Sequence, residues 1–466
     1  MDLKLKALLY ISRIMSARRQ SSASSYESLL RPDITKSLQT MLATTPIAED
    51  FYLCDTTVSQ KETEEEIKEI YLSILNSSEE SIVETKSKTS KLLDAIANEP
   101  ITENGEPSSD ELSHFDQTLH VDLHLRYIEH FLNNPLPEGF FSLDCNHGWM
   151  IYWLLNAYSV LLDGEVPEHL KKPISAKIML LVIDEGRGGI AGGPQGQIGH
   201  AASTYASVLA LVLIGDFDSL ALIKKGLHQW FLSLKAPNGS FVMHKGGESD
   251  ARSTYCVLSV AALLNILTNE LLEGASGFLL SCQSYEGGFA GVPNTEAHGG
   301  YTFCALAALY LTPDGFRDIN MESLLRWLSA RQLSLEGGFS GRTNKLVDSC
   351  YSFWVGGSFA LLEAYLDQAT LFNRPALTSY ILNCCQDDKR GGLRDKPSTR
   401  ADFYHTNYAL CGLSIAEHQF VRDGLYNFVT KDCLEGSVLT IGVNPIFGIP
   451  TMLVSHCLAY FNATAN

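Results

Sequence analysis

The sequence predicts an all-α protein, a toroid of repeated helical hairpins (an α-α barrel) around a central funnel. Three observations support this fold: glycine turns recur at nearly constant spacing, an aromatic residue follows each turn, and the segments between turns lack the alternation of strands. Successive turns begin 50, 49, 50 and 54 residues apart, at Gly188, Asn238, Gly287, Gly337 and Gly391.

The residues after each turn favour one helical hairpin per repeat. An aromatic residue stands 16 or 17 residues after each turn start, and a small or aliphatic helical segment follows it. Glycine supplies the positive-φ backbone that ends a helix, and a hairpin must stack on neighbours to bury its apolar face. Tetratricopeptide and ankyrin repeats are shorter, and kelch blades of this length consist of strands. The recurring aromatics are Tyr205, Tyr255, Phe303, Phe353 and Tyr408.

The N-terminal quarter lacks the repeat. We predict a mobile tail at residues 1–60, an N-terminal helix and inserted acidic loop at 61–120, and the α-α barrel at 121–466. Within the second region, 61–76 has amphipathic helical spacing and 77–117 is polar, which indicates the loop. The first twenty residues are basic, which suits either a mitochondrial presequence or a tail without a targeting role, and we favour the tail.

Composition restricts the class of protein. The net charge of −18 argues against nucleic acid as the main partner, because phosphate binding needs excess Lys and Arg. No apolar run reaches the length of a transmembrane segment. The 11 cysteines have no regular framework and the N-terminus lacks a secretory signal. We therefore expect free thiols in the cytoplasm.

One cluster offers metal ligands from two adjacent repeats. Asp348 and Cys350 precede one predicted inner helix, and His405 lies in the equivalent region of the next repeat. Stacked repeats bring them to one rim, where an oxygen, a sulfur and a nitrogen ligand form a zinc site with an open fourth position. The alternative is a buried core thiol and a histidine with an ordinary hydrogen bond.

A second group of residues is basic. His298 occupies the same phase of its repeat as the stretch from Arg342 to Lys345 occupies in the next, and Tyr351 lies close by. Converging cations and donors on an acidic protein predict a diphosphate site. The alternative is that these are ordinary solvated charges.

A third group is aromatic. Aromatics at one phase of every repeat either line a funnel for a long apolar ligand or pack in an ordinary core, and repeat phase alone does not separate the two. The group comprises Trp149, Trp153, Tyr205, Tyr255, Trp354, Tyr404 and Tyr408.

Three segments carry a specific resemblance. EGGFAGVPNTEAHGGYTFCALAAL, EGGFSGRTNKLVDSCYSFW and GGLRDKPSTRADFYHTNY resemble the β subunits of protein farnesyltransferases in the CaaX prenyltransferase family, and the match runs from about Phe140 to the final helix. The resemblance implies a helical α subunit as obligate partner and a catalytic zinc ion. It also implies transfer of farnesyl from farnesyl diphosphate to the cysteine of CaaX-terminated proteins such as Ras-like GTPases.

The resemblance also implies roles for individual residues. Zinc ligands fall on Asp348, Cys350 and His405, and catalytic roles on Lys345, Tyr351, Asp395 and Asp402, with Mg²⁺ held through Asp395. Diphosphate positions fall on His298, Arg342, Lys345 and Tyr351, and isoprenoid positions on Arg252, Tyr255, Cys304 and Trp354. Peptide positions fall on Trp149, Trp153, His200, Ala202, Tyr404 and Tyr408. Ser203 stands where many relatives have proline, so selectivity for the last CaaX residue stays open.

Within the family that these segments resemble, farnesyl, geranylgeranyl type I and Rab-type enzymes share the zinc and diphosphate residues. Two features favour farnesyl, and the geranylgeranyl type I enzyme remains the alternative. Trp149 and Tyr408 are bulky at the expected funnel floor, and Asp395 stands where type I enzymes carry lysine. A terpene cyclase needs an acidic DxDD-type motif that is missing here. A non-catalytic scaffold leaves the three metal-ligand residues unexplained. A glycoside hydrolase using Asp348 and Asp402 leaves Cys350 and Lys345 unexplained.

Overall fold

The computed structural model describes residues 41, 54–96, 118–194, 196–313, 315–368, 370–432 and 438–464, with side chains described in 54–76 but not in 77–96. The α-helices are α1 (Asp55–Ile96), α2 (Val121–Asn133), α3 (His147–Leu161), α4 (Glu168–Met179), α5 (Ala201–Leu213), α6 (Phe217–Leu234), α7 (Ala251–Leu263), α8 (Asn269–Leu272), α9 (Ala275–Ser281), α10 (Gly299–Tyr310), α11 (Met321–Ser329), α12 (Tyr351–Leu366), α13 (Arg374–Cys384), α14 (Phe403–Glu417) and α15 (Thr451–Ala463). Strands β1 (His418–Arg422) and β2 (Phe428–Asp432) form an antiparallel hairpin.

Six helices form a closed inner ring. Helices α3, α5, α7, α10, α12 and α14 contact one another in that order, and α14 returns to contact α3. These helices are buried along most of their length, which explains why their sequences are apolar all round. Outer helices such as α11 bury one face only, through Leu324, Leu325 and Leu328. The predicted α-α toroid is confirmed.

Small residues let neighbouring inner helices approach closely. A Cβ atom added at Gly412 on α14 would lie 2.1 Å from the Cβ of Ser352 on α12. A Cβ at Gly148 on α3 would lie 2.4 Å from the Oγ of Ser207 on α5. These separations are far below van der Waals contact, so a larger residue at either position would force the two helices apart.

Each glycine turn is tied to the start of the next inner helix. Antiparallel bridges close the five predicted turns, and a sixth bridge joins Val443 to Pro450. Threonine hydroxyls at one repeat phase (Thr204, Thr302 and Thr406) each accept a hydrogen bond of 2.9 Å from a turn N–H. The turns are therefore rigid platforms that set where each inner helix begins.

The recurring aromatics pack against one another in a belt around the ring. Neighbouring ring centroids lie 4.9 to 5.6 Å apart, and none of the five side chains is more than 4% exposed. Tyr152 on α3 extends the belt, with its ring 6.3 Å from that of Tyr205. The recurring aromatics are therefore buried against one another, and those named as ligand-contacting positions remain predictions.

The structure differs from the sequence predictions in three segments. Helix α1 begins at Asp55, so the tail predicted for residues 1–60 is wrong for 55–60, where the amphipathic helix starts earlier than predicted. Helix α1 continues to Ile96, so the loop predicted from residue 77 is wrong for 77–96. Those residues contain no glycine or proline to end the helix, and the first such residue is Pro100. Residues 97–117, and residues 1–53 apart from Met41, lie outside the described part of the chain. The β1–β2 hairpin was not predicted. In the described residues, every helix is too short or too polar to cross a lipid bilayer.

Candidate active site

The predicted site residues converge on one rim of the ring, where the inner helices begin. Side chains of His200, Asp250, His298 and Asp402 occupy the N-cap positions of α5, α7, α10 and α14, and each accepts a hydrogen bond from a first-turn N–H. Helices one repeat apart run in the same direction, so their positive dipole ends face the same rim. This arrangement favours an anionic ligand.

Asp348, Cys350 and His405, hereafter the metal triad, come together at this rim. Their ligand atoms all lie within 4.8 Å of one another; Cys350 is buried and the other two are partly buried. The intervening Ser349 fixes the loop, because its N–H donates to the Asp395 carbonyl at 2.8 Å and its hydroxyl to the Arg394 carbonyl at 2.8 Å. The sequence pattern thus corresponds to one compact set of ligands.

Asp402 orients the imidazole of His405. Nδ1 of His405 lies 2.7 Å from Oδ2 of Asp402, and Oδ1 of the same carboxylate accepts the His405 backbone N–H at 2.8 Å. This contact places the proton on Nδ1 and directs Nε2 toward Asp348, 3.3 Å away. Carboxylate–histidine–metal arrangements in proteins use this geometry.

The electrostatics of the triad suit a divalent cation. Burial alone would lower the pKa of His405, but hydrogen bonds and charges from Asp348 and Asp402 outweigh it and raise that pKa to about 10. Burial and the Asp348 charge raise the pKa of the Cys350 thiol well above its usual value. Burial opposes ionisation of Asp348, yet His405 holds the pKa of that carboxyl low. Zinc fits this sulfur, nitrogen and oxygen donor set, because it accepts all three ligand types.

His298 and Tyr351 form a preorganised donor pair. Nδ1 of His298 accepts the Gly300 N–H at 3.0 Å, so the ring proton lies on Nε2, which donates to the Tyr351 hydroxyl oxygen at 3.0 Å. Burial and the positive charges of Arg342 and Arg252 lower the pKa of His298 and keep the ring neutral. The Tyr351 hydroxyl proton is then free to point toward a bound anion.

The cations of this rim differ in how they are paired. Arg342 forms an ion pair with Glu296 at 2.6 Å, and Arg252 with Asp250 at 2.6 Å. Lys345 is exposed in the same loop as Arg342 and forms no ion pair within the part of the chain that the structure describes. Lys345 is therefore the cation of this loop whose charge is not already neutralised.

The Asp395 carboxylate already has hydrogen-bond and ion-pair partners within the protein. Its Oδ2 lies 2.5 Å from the Lys396 ammonium, its Oδ1 accepts the Lys396 N–H at 2.8 Å, and Thr399 also donates to it. Its carbonyl accepts from Ser349, next to the metal triad. A Mg²⁺ ion held through this carboxylate would have to share it with Lys396 or displace that side chain.

The aromatic positions lie just inside the rim. The Trp149 and Trp153 ring centroids lie 5.5 Å apart with the rings tilted by 32°, and Trp153 meets Tyr404 edge-on at 5.4 Å. The Trp354 indole N–H donates to the Tyr404 hydroxyl at 3.0 Å. These four residues remain partly exposed, whereas Tyr255 and Tyr408 lie deeper in the buried belt. Trp149, predicted at the funnel floor, therefore lies nearer the rim, because it stands in the first turn of α3.

The remaining predicted positions are distributed along α5 and α10. Nδ1 of His200 accepts the Ala202 N–H at 3.2 Å, which leaves Nε2–H available to a ligand. Its ring centroid lies 5.6 Å from that of His244. Cys304 is buried on α10, and the structure records no hydrogen bond between its side chain and the metal triad.

Sequence reasoning missed three residues that shape the site: Glu296, Ser349 and Lys396. Glu296 pairs with Arg342, Lys396 with Asp395, and Ser349 anchors the metal loop. Ser349 lies between two proposed ligands, a position that was itself a usable signal. The two ion pairs depend on side-chain conformations that the sequence does not reveal.

Replacing Asp402 with asparagine is expected to weaken zinc binding about 10- to 100-fold, because the amide no longer holds the proton on Nδ1 of His405 by a charged contact. The measurement is competition with a chromophoric chelator. Asp423→Asn serves as the control, since Asp423 is an exposed carboxylate of the hairpin loop. Equal zinc affinity in wild type and Asp402→Asn would contradict the role of this contact.

Comparisons with known proteins identify the family of the chain. A family described as the prenyltransferase alpha-alpha toroid domain matches residues 119–449. The chain is 45% identical over 361 residues to the protein farnesyltransferase subunit beta of Saccharomyces cerevisiae, covering 76% of this chain and 83% of that protein. It is 41% identical over 358 residues to the subunit of the same name from Schizosaccharomyces pombe, covering 74% and 91%.

Two geranylgeranyl enzymes are more distant. The geranylgeranyl transferase type-1 subunit beta of Arabidopsis thaliana is 35% identical over 233 residues, covering 47% of this chain and 60% of that protein. A solved Candida albicans protein geranylgeranyltransferase-I complexed with GGPP shares the fold, with a TM-score of 0.60 and 22% identity, covering 73% of this chain and 99% of that one.

Proposed function

The chain belongs to the prenyltransferase α-α toroid family as a β subunit of the protein farnesyltransferase type, and we propose that it transfers farnesyl from farnesyl diphosphate to the cysteine thiol of C-terminal CaaX motifs. One observation carries the proposal: the metal triad, with His405 oriented by Asp402, lies at the same rim as His298, Tyr351 and Arg342. A thiol site thereby adjoins a diphosphate site.

Asp348, Cys350 and His405 are the residues proposed to hold zinc. Zinc, when bound, would act as a Lewis acid that lowers the pKa of a substrate thiol and so makes the thiolate available at neutral pH. Cys350 is accordingly a ligand and not the nucleophile. Asp402 accepts a hydrogen bond from Nδ1–H of His405, so that Nε2 is the nitrogen directed at the ion and the one that gives up its proton when zinc binds.

The diphosphate end relies on charge stabilisation. As the C1–O bond of farnesyl diphosphate breaks, negative charge grows on the leaving diphosphate. Lys345 and Arg342 supply positive charge, while the Tyr351 hydroxyl, oriented by His298, supplies a hydrogen bond. Glu296 holds Arg342 in place before the anion arrives. Mg²⁺ bound through Asp395 is proposed to add further charge stabilisation.

The apolar part of each substrate is proposed to occupy the aromatic interior. Arg252, Tyr255, Cys304 and Trp354 face the isoprenoid, and Trp149 and Tyr408 supply bulk that disfavours a longer chain. The CaaX peptide is proposed to contact His200, Ala202 and Tyr404, together with Trp149, Trp153 and Tyr408. Ras-like GTPases that end in CaaX are the expected class of protein substrate.

We also propose a helical α subunit as the obligate partner and the cytoplasm as the compartment. The names of the relatives describe β subunits, which supports a heterodimer. Cysteines without disulfide partners in the described residues support a reducing compartment.

The decisive experiment co-expresses the chain with an α subunit and offers farnesyl and geranylgeranyl diphosphate in competition for a CaaX peptide, with and without zinc chelation. Zinc-dependent farnesyl transfer is expected. A preference for geranylgeranyl would favour the type I alternative, for which the similarity to type-1 enzymes is the supporting observation. Full activity after complete removal of zinc would overturn the proposal.

A further inference from the structure

The sixth glycine turn, residues 444–449, meets the inner ring toward the C-terminal ends of the inner helices, opposite the rim that carries the metal triad. Backbone carbonyls of three consecutive residues, Ile446, Phe447 and Gly448, accept hydrogen bonds from Tyr255 Oη at 2.7 Å, Tyr205 Oη at 3.1 Å and Asn156 Nδ2 at 2.7 Å. These donors belong to α7, α5 and α3. Cys411 of α14 also lies 3.6 Å from the Gly448 carbonyl. A turn whose backbone meets four of the six inner helices lies near the ring axis.

The depth of this turn follows from helix register. Asn156 lies seven residues beyond Trp149 on α3, which is about two helical turns or roughly 10 Å below the rim. The belt tyrosines Tyr205 and Tyr255 lie between the rim and the turn. The turn is fully buried. It therefore lies below the belt tyrosines, on the side of the belt away from the metal triad, and we refer to it as the floor.

Specific hydrogen bonds hold the floor in place. Within the turn, the Asn444 N–H donates to the Ile449 carbonyl at 2.8 Å and the Asn444 side-chain oxygen accepts the Ile446 N–H at 2.9 Å. Between turn and ring, Asn156 donates to Gly448 and also to Asn407 Oδ1 at 2.8 Å. Asn156 thus links the floor to α14 as well as to α3.

We propose that Asn156 is a positioning residue for isoprenoid selectivity: it anchors the 444–449 turn as the floor that limits chain length. This inference rests on the proposed function. An isoprenoid one unit longer has to displace the turn away from the rim. The buried carbonyls of the turn then lose their hydrogen-bond donors, which is unfavourable. The anchoring differs from steric bulk at Trp149, because it acts through the backbone of a separate segment.

The test is Asn156→Ala in the α-subunit complex, with kcat/KM measured for farnesyl and geranylgeranyl diphosphate and the same peptide. We expect the farnesyl-to-geranylgeranyl ratio to fall about tenfold, the effect of losing the one buried hydrogen bond that Asn156 donates to the floor. Ser159→Ala is the matched control, because Ser159 is buried on the same helix and its hydroxyl has no hydrogen-bond partner within the described residues. Its ratio is expected to stay at the wild-type value.

Tyr205→Phe keeps the test decisive if Asn156→Ala does not fold. It removes one donor to the floor and keeps the ring, so the interior gains almost no volume, and the ratio is expected to fall in the same direction. A folded Asn156→Ala or Tyr205→Phe complex with the wild-type ratio would overturn the inference, even if its melting temperature fell. Wild type that transfers no farnesyl would instead overturn the proposed function.

Discussion

Replacing Cys350 with alanine is expected to remove stoichiometric zinc from the purified heterodimer and to abolish detectable farnesyl transfer. Loss of a group that merely orients a ligand costs about 10- to 100-fold in metal affinity, and loss of the thiolate itself costs more. Cys350 is also the only sulfur in the metal triad. The readouts are zinc per heterodimer by elemental analysis and single-turnover transfer to a CaaX peptide.

Cys282→Ala is the matched control for this variant. Cys282 is likewise a buried free thiol, but it lies at the end of α9, outside the metal triad. We expect the Cys282→Ala heterodimer to contain as much zinc as wild type and to transfer farnesyl at the wild-type rate. A Cys350→Ala protein that still binds one zinc ion with wild-type affinity would contradict the assignment of the ligand.

The pH dependence of zinc binding is a second readout of the same site. His405, with its pKa raised to about 10, and Cys350, with its pKa raised by burial, are both protonated at neutral pH without metal. Only the deprotonated forms bind zinc, so each ion releases two protons. Zinc affinity is therefore expected to fall by about two powers of ten per unit decrease in pH. Cys350→Ala should reduce that slope.

The fold was predictable because the repeats need glycine at defined backbone positions. Gly189 has φ +75°, and a Cβ there would lie 2.6 Å from the Trp230 ring, so the turn tolerates little else. The sixth turn was not predicted, because its glycine, Gly448, has no second glycine beside it in the sequence. Helix α1 is longer than predicted, because polar composition indicates a loop only where a residue such as glycine or proline also breaks the helix, and residues 77–96 contain neither.

The candidate site was predictable as a set of residues but not as a set of contacts. Repeat phase brought Asp348, Cys350 and His405 together, since equivalent positions in stacked hairpins must meet at one rim. The pairings of Arg342 with Glu296 and of Asp395 with Lys396 were not predictable, because charged residues are frequent and their partners depend on rotamers. These pairings leave Lys345 as the unneutralised cation of its loop.

Replacing Lys345 with alanine is expected to lower the single-turnover rate of farnesyl transfer on the order of 10²-fold, since one preorganised charge at the leaving diphosphate contributes that much. Arg342 cannot fully compensate, because Glu296, 2.6 Å away, offsets part of its charge. The KM for farnesyl diphosphate is expected to change little, since the contact strengthens mainly as charge develops in the transition state.

Lys245→Ala provides the matched control for a lysine in this repeat phase. Lys245 is exposed six residues before α7, just as Lys345 is six residues before α12, but Lys245 lies outside the group of residues proposed to bind diphosphate. Its rate is expected to stay within about twofold of wild type, as for an ordinary solvated charge. Equal losses in both variants would point to a general field effect of positive charge at the rim, and an unchanged rate for Lys345→Ala would remove this residue from the diphosphate site.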